Sequence, residues 1–149
     1  MKGYSIQNVG ERSARARGKE LDISLKDSVN IAHFLRGKRL QWAIDALEKV
    51  TQKKLAVPYF RYLDSVSHRK GMSSGRYPVK AARAFLEVLR NAEANAEFKS
   101  LDTENLVIRH IAATKGRMIK KYLPKAYGRA GAWFKDLVNV EVVVEEVES

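Results

Sequence analysis

The densest set of side chains able to do chemistry runs from Lys115 to Arg129 (KGRMIKKYLPKAYGR), where six Lys/Arg stand without a single acid. The chemistry open to such a set is neutralisation of anions. Like charges this close repel one another unless something polyanionic surrounds them, and a folded RNA is the surface that fits best. The run is punctuated by Gly116, Pro124 and Gly128 and flanked by strand-like segments, so it reads as the tip of a strand pair and not as buried core. Further basic runs occur at 12–19, 36–39, 53–54 and 61–90. A single charge run is ordinarily a solvated face; several together point to nucleic acid. Tyr122, Tyr127, Trp133 and Phe134 flank the tip and suit either hairpin packing or base stacking.

Other constellations carry less. His33, His68 and His110 have no metal-ligand spacing, and a structural or RNA-contacting role fits them better. The acid pairs Asp45 with Glu48 and Glu93 with Glu97 fall on polar helix faces. Gly71–Gly75 (GMSSG) lacks the spacing and the preceding apolar strand of a phosphate loop. No nucleophile–base set is present, and neither an enzyme nor a cofactor or metal is expected.

Composition sets the frame. The chain has 149 residues, 45% hydrophobic and 30% charged, which suits one globular domain with a real core. Its formal charge is +11, yet residues 141–149 hold four acids and no base, so the cationic surface elsewhere is denser than the net figure. Without cysteine there are no disulfides or thiolate sites, in keeping with a reducing cytosol. No apolar run approaches the roughly 20 residues needed to cross a bilayer. The first twenty residues lack the apolar stretch of a signal peptide. A soluble, cytoplasmic protein is expected.

The elements that must position these residues follow from periodicity. Residues 1–20 look extended and basic, and Leu21-Asp22-Ile23 can close a strand. Ser24 with Asp27 resembles a capping box, which starts a helix near Leu25 with Leu25, Val29, Ala32 and Leu35 inward and Gly37 as its stop. Leu40, Ala43, Ile44, Leu47 and Val50 mark a second helix, and the short basic link Arg36–Arg39 predicts that the two pack as a hairpin. Residues 51–77 read as a loop-like insertion in which Tyr59, Phe60, Tyr62 and Tyr77 alternate with cations. Pro78 opens a long third helix with Val79, Ala82, Phe85, Leu86, Leu89, Ala92 and Ala96 buried and Lys80, Arg83, Glu87 and Arg90 outward. Asn105–Ala113 and Leu137–Val144 alternate as arms of one antiparallel hairpin. Continued outward, each arm reaches roughly 55 Å at about 3.3 Å per residue. A two-stranded ribbon of that reach is marginal alone, so its tip should take its order from a partner.

Lys120-Lys121-Tyr122-Leu123-Pro124-Lys125-Ala126-Tyr127-Gly128-Arg129-Ala130, followed by Asn139-Val140-Glu141-Val142-Val143-Val144, closely resembles the hairpin signature of the universal large-subunit ribosomal protein twenty-two family. Arg36-Gly37-Lys38 and Asn91–Ala96 also look like that family, so the resemblance covers nearly the whole chain. Lys125 stands where many bacterial members carry Arg, which keeps the charge and loses the bidentate fork. The 51–77 insertion resembles the archaeal and eukaryotic branch.

The resemblance implies an α+β fold: three helices on a small antiparallel sheet with a long protruding basic β-hairpin. It implies one domain over 1–149, with a globular body (1–110 and 137–149) and an extended hairpin at about 111–136. By likeness, the protein is a non-catalytic constituent of the large ribosomal subunit. It would bind rRNA and neighbouring ribosomal proteins and support assembly, with the hairpin along the polypeptide exit tunnel beside the nascent chain. The expected rRNA contacts on the hairpin are Lys115, Arg117, Lys120, Lys121, Lys125 and Arg129. On the body they are Arg15, Arg17, Arg36, Lys38, Arg69, Lys70, Arg76, Lys80 and Arg83. Leu123, Pro124, Ala126, Tyr127, Gly128 and Ala130 form the expected tunnel-side tip. The competing reading is a free-standing architectural RNA- or DNA-binding protein with a basic β-arm.

Overall fold

The computed structural model describes residues 3–148; Met1, Lys2 and Ser149, which fall within the expected N-terminal extended segment and the expected domain span, lie outside the described residues. The chain forms β1 (Ser13–Leu21), α1 (Leu25–Leu35), α2 (Leu40–Thr51), β2 (Val57–Pro58), β3 (Gly75–Arg76), α3 (Val79–Phe98), β4 (Leu106–Pro124) and β5 (Ala130–Glu146). The fold is α+β. Strands β1, β5 and β4 make an antiparallel sheet in that order, and β2 pairs with β3 in a small second sheet.

Alternation along β5 decides which face meets the helices. Val138, Val140, Val142 and Val144 join Ile108 and Ile111 of β4 and Ala14 and Ala16 of β1 in one core with Phe85, Leu89, Leu35, Leu40 and Leu47. The helical stripes of α2 and α3 largely fall where their spacing predicts, with Ala82, Phe85, Leu86, Leu89, Ala92 and Ala96 of α3 buried; Val79, expected with them, is only half-buried in the first turn. Lys80, Arg83, Glu87 and Arg90 point outward, as expected.

Two expectations for α1 are corrected. Val29 is only half-buried; the inward face instead carries Ser28, Asn30, Ile31, Ala32 and Leu35. The cause is a polar anchor. Asn30 is fully buried because its Oδ1 accepts from the N–H groups of Phe60 (3.0 Å) and Arg61 (3.2 Å), while its Nδ2 donates to the carbonyls of Lys26 (2.8 Å) and Arg61 (3.1 Å). Nor do α1 and α2 pack as a helical hairpin: α1 lies on β4 and α2 on α3. The link between them is drawn onto the sheet instead. Gly37, at φ +75°, donates to the carbonyl of Ile108 (3.1 Å), and Ile108 donates back to Lys38 (2.9 Å).

The capping box at the start of α1 is half formed. The Ser24 hydroxyl accepts from the N–H of Asp27, while the Asp27 carboxylate accepts from the buried Tyr59 hydroxyl instead of returning to Ser24. Burial first, then this hydrogen bond, drive the Tyr59 hydroxyl's pKa far above its ordinary value. Insertion 51–77 is thereby tied to the body at Asn30 and Asp27, although only four of its residues are in strands.

Candidate nucleic-acid interface

The finger is built from the outer halves of β4 and β5. Met118 pairs with Asp136, and the ladder continues without interruption to Pro124 opposite Ala130. Side chains from Lys120 to Ala130 are all exposed, including Lys120, Lys121, Lys125 and Arg129. The turn is closed by the Lys125 N–H donating to the Arg129 carbonyl at 2.7 Å. Its reversal uses two consecutive left-handed residues, Tyr127 (φ 59°) and Gly128 (φ 69°). Glycine takes that conformation without strain; a tyrosine there is uncommon, and its ring is 96% exposed. Leu123, Pro124, Ala126 and Ala130 complete the exposed tip.

Of the flanking aromatics, Tyr122 and Phe134 meet edge to face at 5.9 Å across the ladder, with the Lys120 ammonium 6.0 Å from the Phe134 ring. Those two serve hairpin packing. All four rings are exposed, and Trp133 and Tyr127 have no ring partner among the described residues.

At the root of the finger the sheet flares. The β1–β5 register shifts between Gly18 and Leu21, and the β4–β5 register shifts between Lys115 and Met118. Both bulges lie beside the same stretch of the central strand. They open a notch of about 590 Å³ on the sheet face away from the helices, lined by Arg17 and Lys19 of β1, Thr114, Lys115, Gly116 and Arg117 of β4, and Asn139 and Glu141 of β5, with Gly3, Ser5 and Glu20 at its rim. Gly116 fits closely here: a Cβ would stand 3.0 Å from the Leu137 carbonyl oxygen and 3.3 Å from Asn139 Nδ2, so these neighbours would have to give by a few tenths of an ångström. Asn139 Oδ1 accepts from the Glu20 N–H at 2.8 Å, which locks the β1 bulge to the central strand.

The floor carboxylate is held as an anion. Burial pushes the Glu141 pKa up, but hydrogen bonds from the Ser5 hydroxyl, from His110 Nε2 (2.9 Å) and from the Ser5 N–H (3.1 Å) outweigh it and leave the pKa below its ordinary value. These bonds also fasten the N-terminal segment across the outer sheet face, where Arg15 lies 5.5 Å over the Tyr4 ring.

The structure thus brings Arg17 and Arg117 together at one notch, places Lys115 opposite Val138 with its ammonium 3.3 Å from Asp136, and strings Lys120, Lys121, Lys125 and Arg129 along the finger. The other expected contacts are dispersed. Arg36 donates to the Ile111 carbonyl at 3.2 Å and borders a groove with His33, Phe60 and Arg61, while Lys38 stands 5.5 Å over Trp42. Arg69 stacks on Tyr77 at 5.6 Å and Arg76 donates to the Ser65 carbonyl at 3.0 Å, so both brace the insertion; Lys70 is exposed. Lys80 and Lys135 share Asp22, at 3.2 and 2.7 Å, and hold its carboxyl below the ordinary range. Arg83 is exposed on α3.

Lys19 belongs to the basic run 12–19 but was not among the expected contacts, and Thr114, Gly116 and Asn139 were not selected by charge or periodicity. The available signal was a glycine inside each of two strand-like runs, Gly18 and Gly116, which marks a bulge. Among the described residues no cluster of His, Asp or Glu is placed to hold a metal ion, and no helix is long and apolar enough to cross a membrane.

A basic finger on an α+β body is the architecture of a ribosomal protein. The family described as Ribosomal protein L22p/L17e matches residues 16–145, and the chain belongs to it. It is similar to the large ribosomal subunit protein uL22 of Picrophilus torridus, 68% identical over 146 residues covering 98% of this chain and 97% of that protein. The uL22 of Thermoplasma volcanium is 65% identical, with 98% of each chain covered, and that of Methanocaldococcus jannaschii is 44% identical, covering 96% and 94%. Membership makes the chain a structural constituent of the large ribosomal subunit, working in the cytoplasm within the ribosome, and not an enzyme.

Proposed function

We propose that this protein binds large-subunit rRNA through its basic surfaces, supports subunit assembly and lays its hairpin along the polypeptide exit tunnel. The observation that carries this reading is the finger: seven successive strand pairs from Met118–Asp136 to Pro124–Ala130 project with exposed cations and no third strand. A ribbon of this kind gains little from its own packing, and a channel of phosphates supplies what it lacks. Lys115, Arg117, Lys120, Lys121, Lys125 and Arg129 neutralise phosphates and hold the finger in register, a positioning role that needs no base readout.

In this reading residues 1–110 and 137–149 form the body that docks on the subunit, and about 111–136 form the threaded hairpin. Arg15, Arg17, Arg36, Lys38, Arg69, Lys70, Arg76, Lys80 and Arg83 face rRNA from the body. The 51–77 insertion meets rRNA or a neighbouring ribosomal protein. Leu123, Pro124, Ala126, Tyr127, Gly128 and Ala130 face the tunnel and the nascent polypeptide.

The test is a photo-crosslinker placed at Tyr127 in assembled subunits carrying a stalled nascent chain. Adducts to rRNA and to the nascent chain are expected. Adducts to neither, in subunits that contain the protein, would refute the tunnel placement.

A further inference from the structure

We infer that the open edge of β4 at Ile111–Ala113 takes an extended, acid-bearing segment of a neighbouring large-subunit protein as a fourth strand. The inference rests on the ribosomal reading and names a protein, not rRNA, as what the insertion meets at this place.

The two edges of the sheet are covered unevenly. On β1, α3 caps the outward carbonyls: Asn95 Nδ2 donates to Arg15 and Lys99 Nζ to Ser13, both at 2.7 Å. On β4, the link between α1 and α2 covers Val107 and Ile108, through the Arg39–Val107 bridge and the bonds of Ile108 with Gly37 and Lys38. Past that point β4 has β5 on one side and no strand on the other. The Ile111 carbonyl points off the sheet, where it accepts from the Arg36 guanidinium at 3.2 Å. Two residues on, Ala113 turns its N–H and C=O to the same side, because inward and outward pairs alternate along an antiparallel strand. Sheets ordinarily protect such an edge with lysine, proline or a covering loop. Alanine at 112 and 113 offers no such protection.

A groove of about 350 Å³ runs along this edge. Ala112 pairs with Glu141 and Ala113 with Val140, so their side chains leave opposite faces of the sheet. A cavity that both border therefore lies along the strand's side. Its far wall is Val29, Ala32 and His33 of α1 with Phe60 of the insertion, whose ring meets that of His33 at 3.9 Å. Phe60, Tyr62 and Leu63 are each close to half exposed, at 47%, 45% and 45%. Aromatic side chains gathered with arginine are the composition of a protein interface.

These groups define the occupant. Outward N–H and C=O groups in strand register are matched by another peptide backbone, and RNA has none to offer. The apolar wall takes alternate apolar side chains of such a strand. The lining holds no acid, and Arg61, which stacks over Tyr62 at 4.9 Å, has no acid partner among the described residues. A carboxylate on the incoming segment supplies it.

The test uses large subunits assembled with the full chain carrying a photo-crosslinking p-benzoylphenylalanine in place of Phe60, together with hydrogen exchange. Adducts are expected on one acid-bearing segment of a neighbouring ribosomal protein. With the wild-type chain, the Ile111 and Ala113 amides should exchange about tenfold more slowly in the subunit than in the free protein, the scale of one added hydrogen bond. Arg61→Glu should remove most of that slowing, while Lys54→Glu, at an exposed site beyond the end of α2, should leave it. Adducts to rRNA alone, adducts scattered over several proteins, or equal exchange in the subunit and the free protein would overturn the inference and leave the rRNA-binding reading intact. A full chain that did not enter large subunits would overturn both.

Discussion

Replacing Lys120, Lys121 and Lys125 with alanine isolates the electrostatic part of the finger. All three side chains are exposed, and none is paired with an acid among the described residues. Each is therefore free to displace a counterion from RNA. A lost phosphate contact flattens the plot of log affinity against log salt by about 0.7 to 0.9. Three lost contacts flatten it by about 2 to 3. Between roughly 50 and 200 mM salt the wild-type chain should then lose about 20- to 40-fold more affinity than the variant. Lys80 provides the internal comparison: its ammonium is shared with Asp22, so Lys80→Ala should change the slope by less than one contact. The assay is a salt series of binding titrations against a large-subunit rRNA fragment. An unchanged slope in the triple variant, or a larger change in Lys80→Ala than in any single finger lysine, would refute the reasoning.

Two other predictions concern the body. Asn30→Ala leaves the N–H groups of Phe60 and Arg61 without their acceptor, and should cost about 1–3 kcal/mol. Hydrogen exchange should show residues 59–66 losing protection while β5 keeps it; uniform loss over the sheet would contradict a local anchor. Glu141 titrates below its ordinary value of 4.5 in the folded chain, so its contribution is fully present above about pH 4.5 and is lost as pH falls through the folded value. Urea unfolding from pH 7 to 3 should show a shallower acid loss in Glu141→Gln than in the wild type. Parallel curves would remove Glu141 from the account.

Much of the architecture is legible from local patterns. The stripe Leu40–Val50, the stripe Ala82–Ala96 and the alternating valines of β5 each carry a period that only one element and one buried face can satisfy. Position 30 defeats the same logic. An asparagine reads as surface, and it is buried because backbone groups about thirty residues away complete its hydrogen bonds.

By itself, then, the chain's residue order determined three helices, a long antiparallel hairpin and a cationic tip, because helix and strand periods and like-charge crowding are properties of neighbours in sequence. Tertiary structure alone decided that α1 rests on β4 and not on α2, since the Gly37–Ile108 and Ile108–Lys38 bonds capture the link between the helices. It also decided that β1 and β4 bulge on either side of β5 to gather Arg17, Lys19 and Arg117. Register between strands about a hundred residues apart depends on how their side chains fit, and no local period encodes that fit.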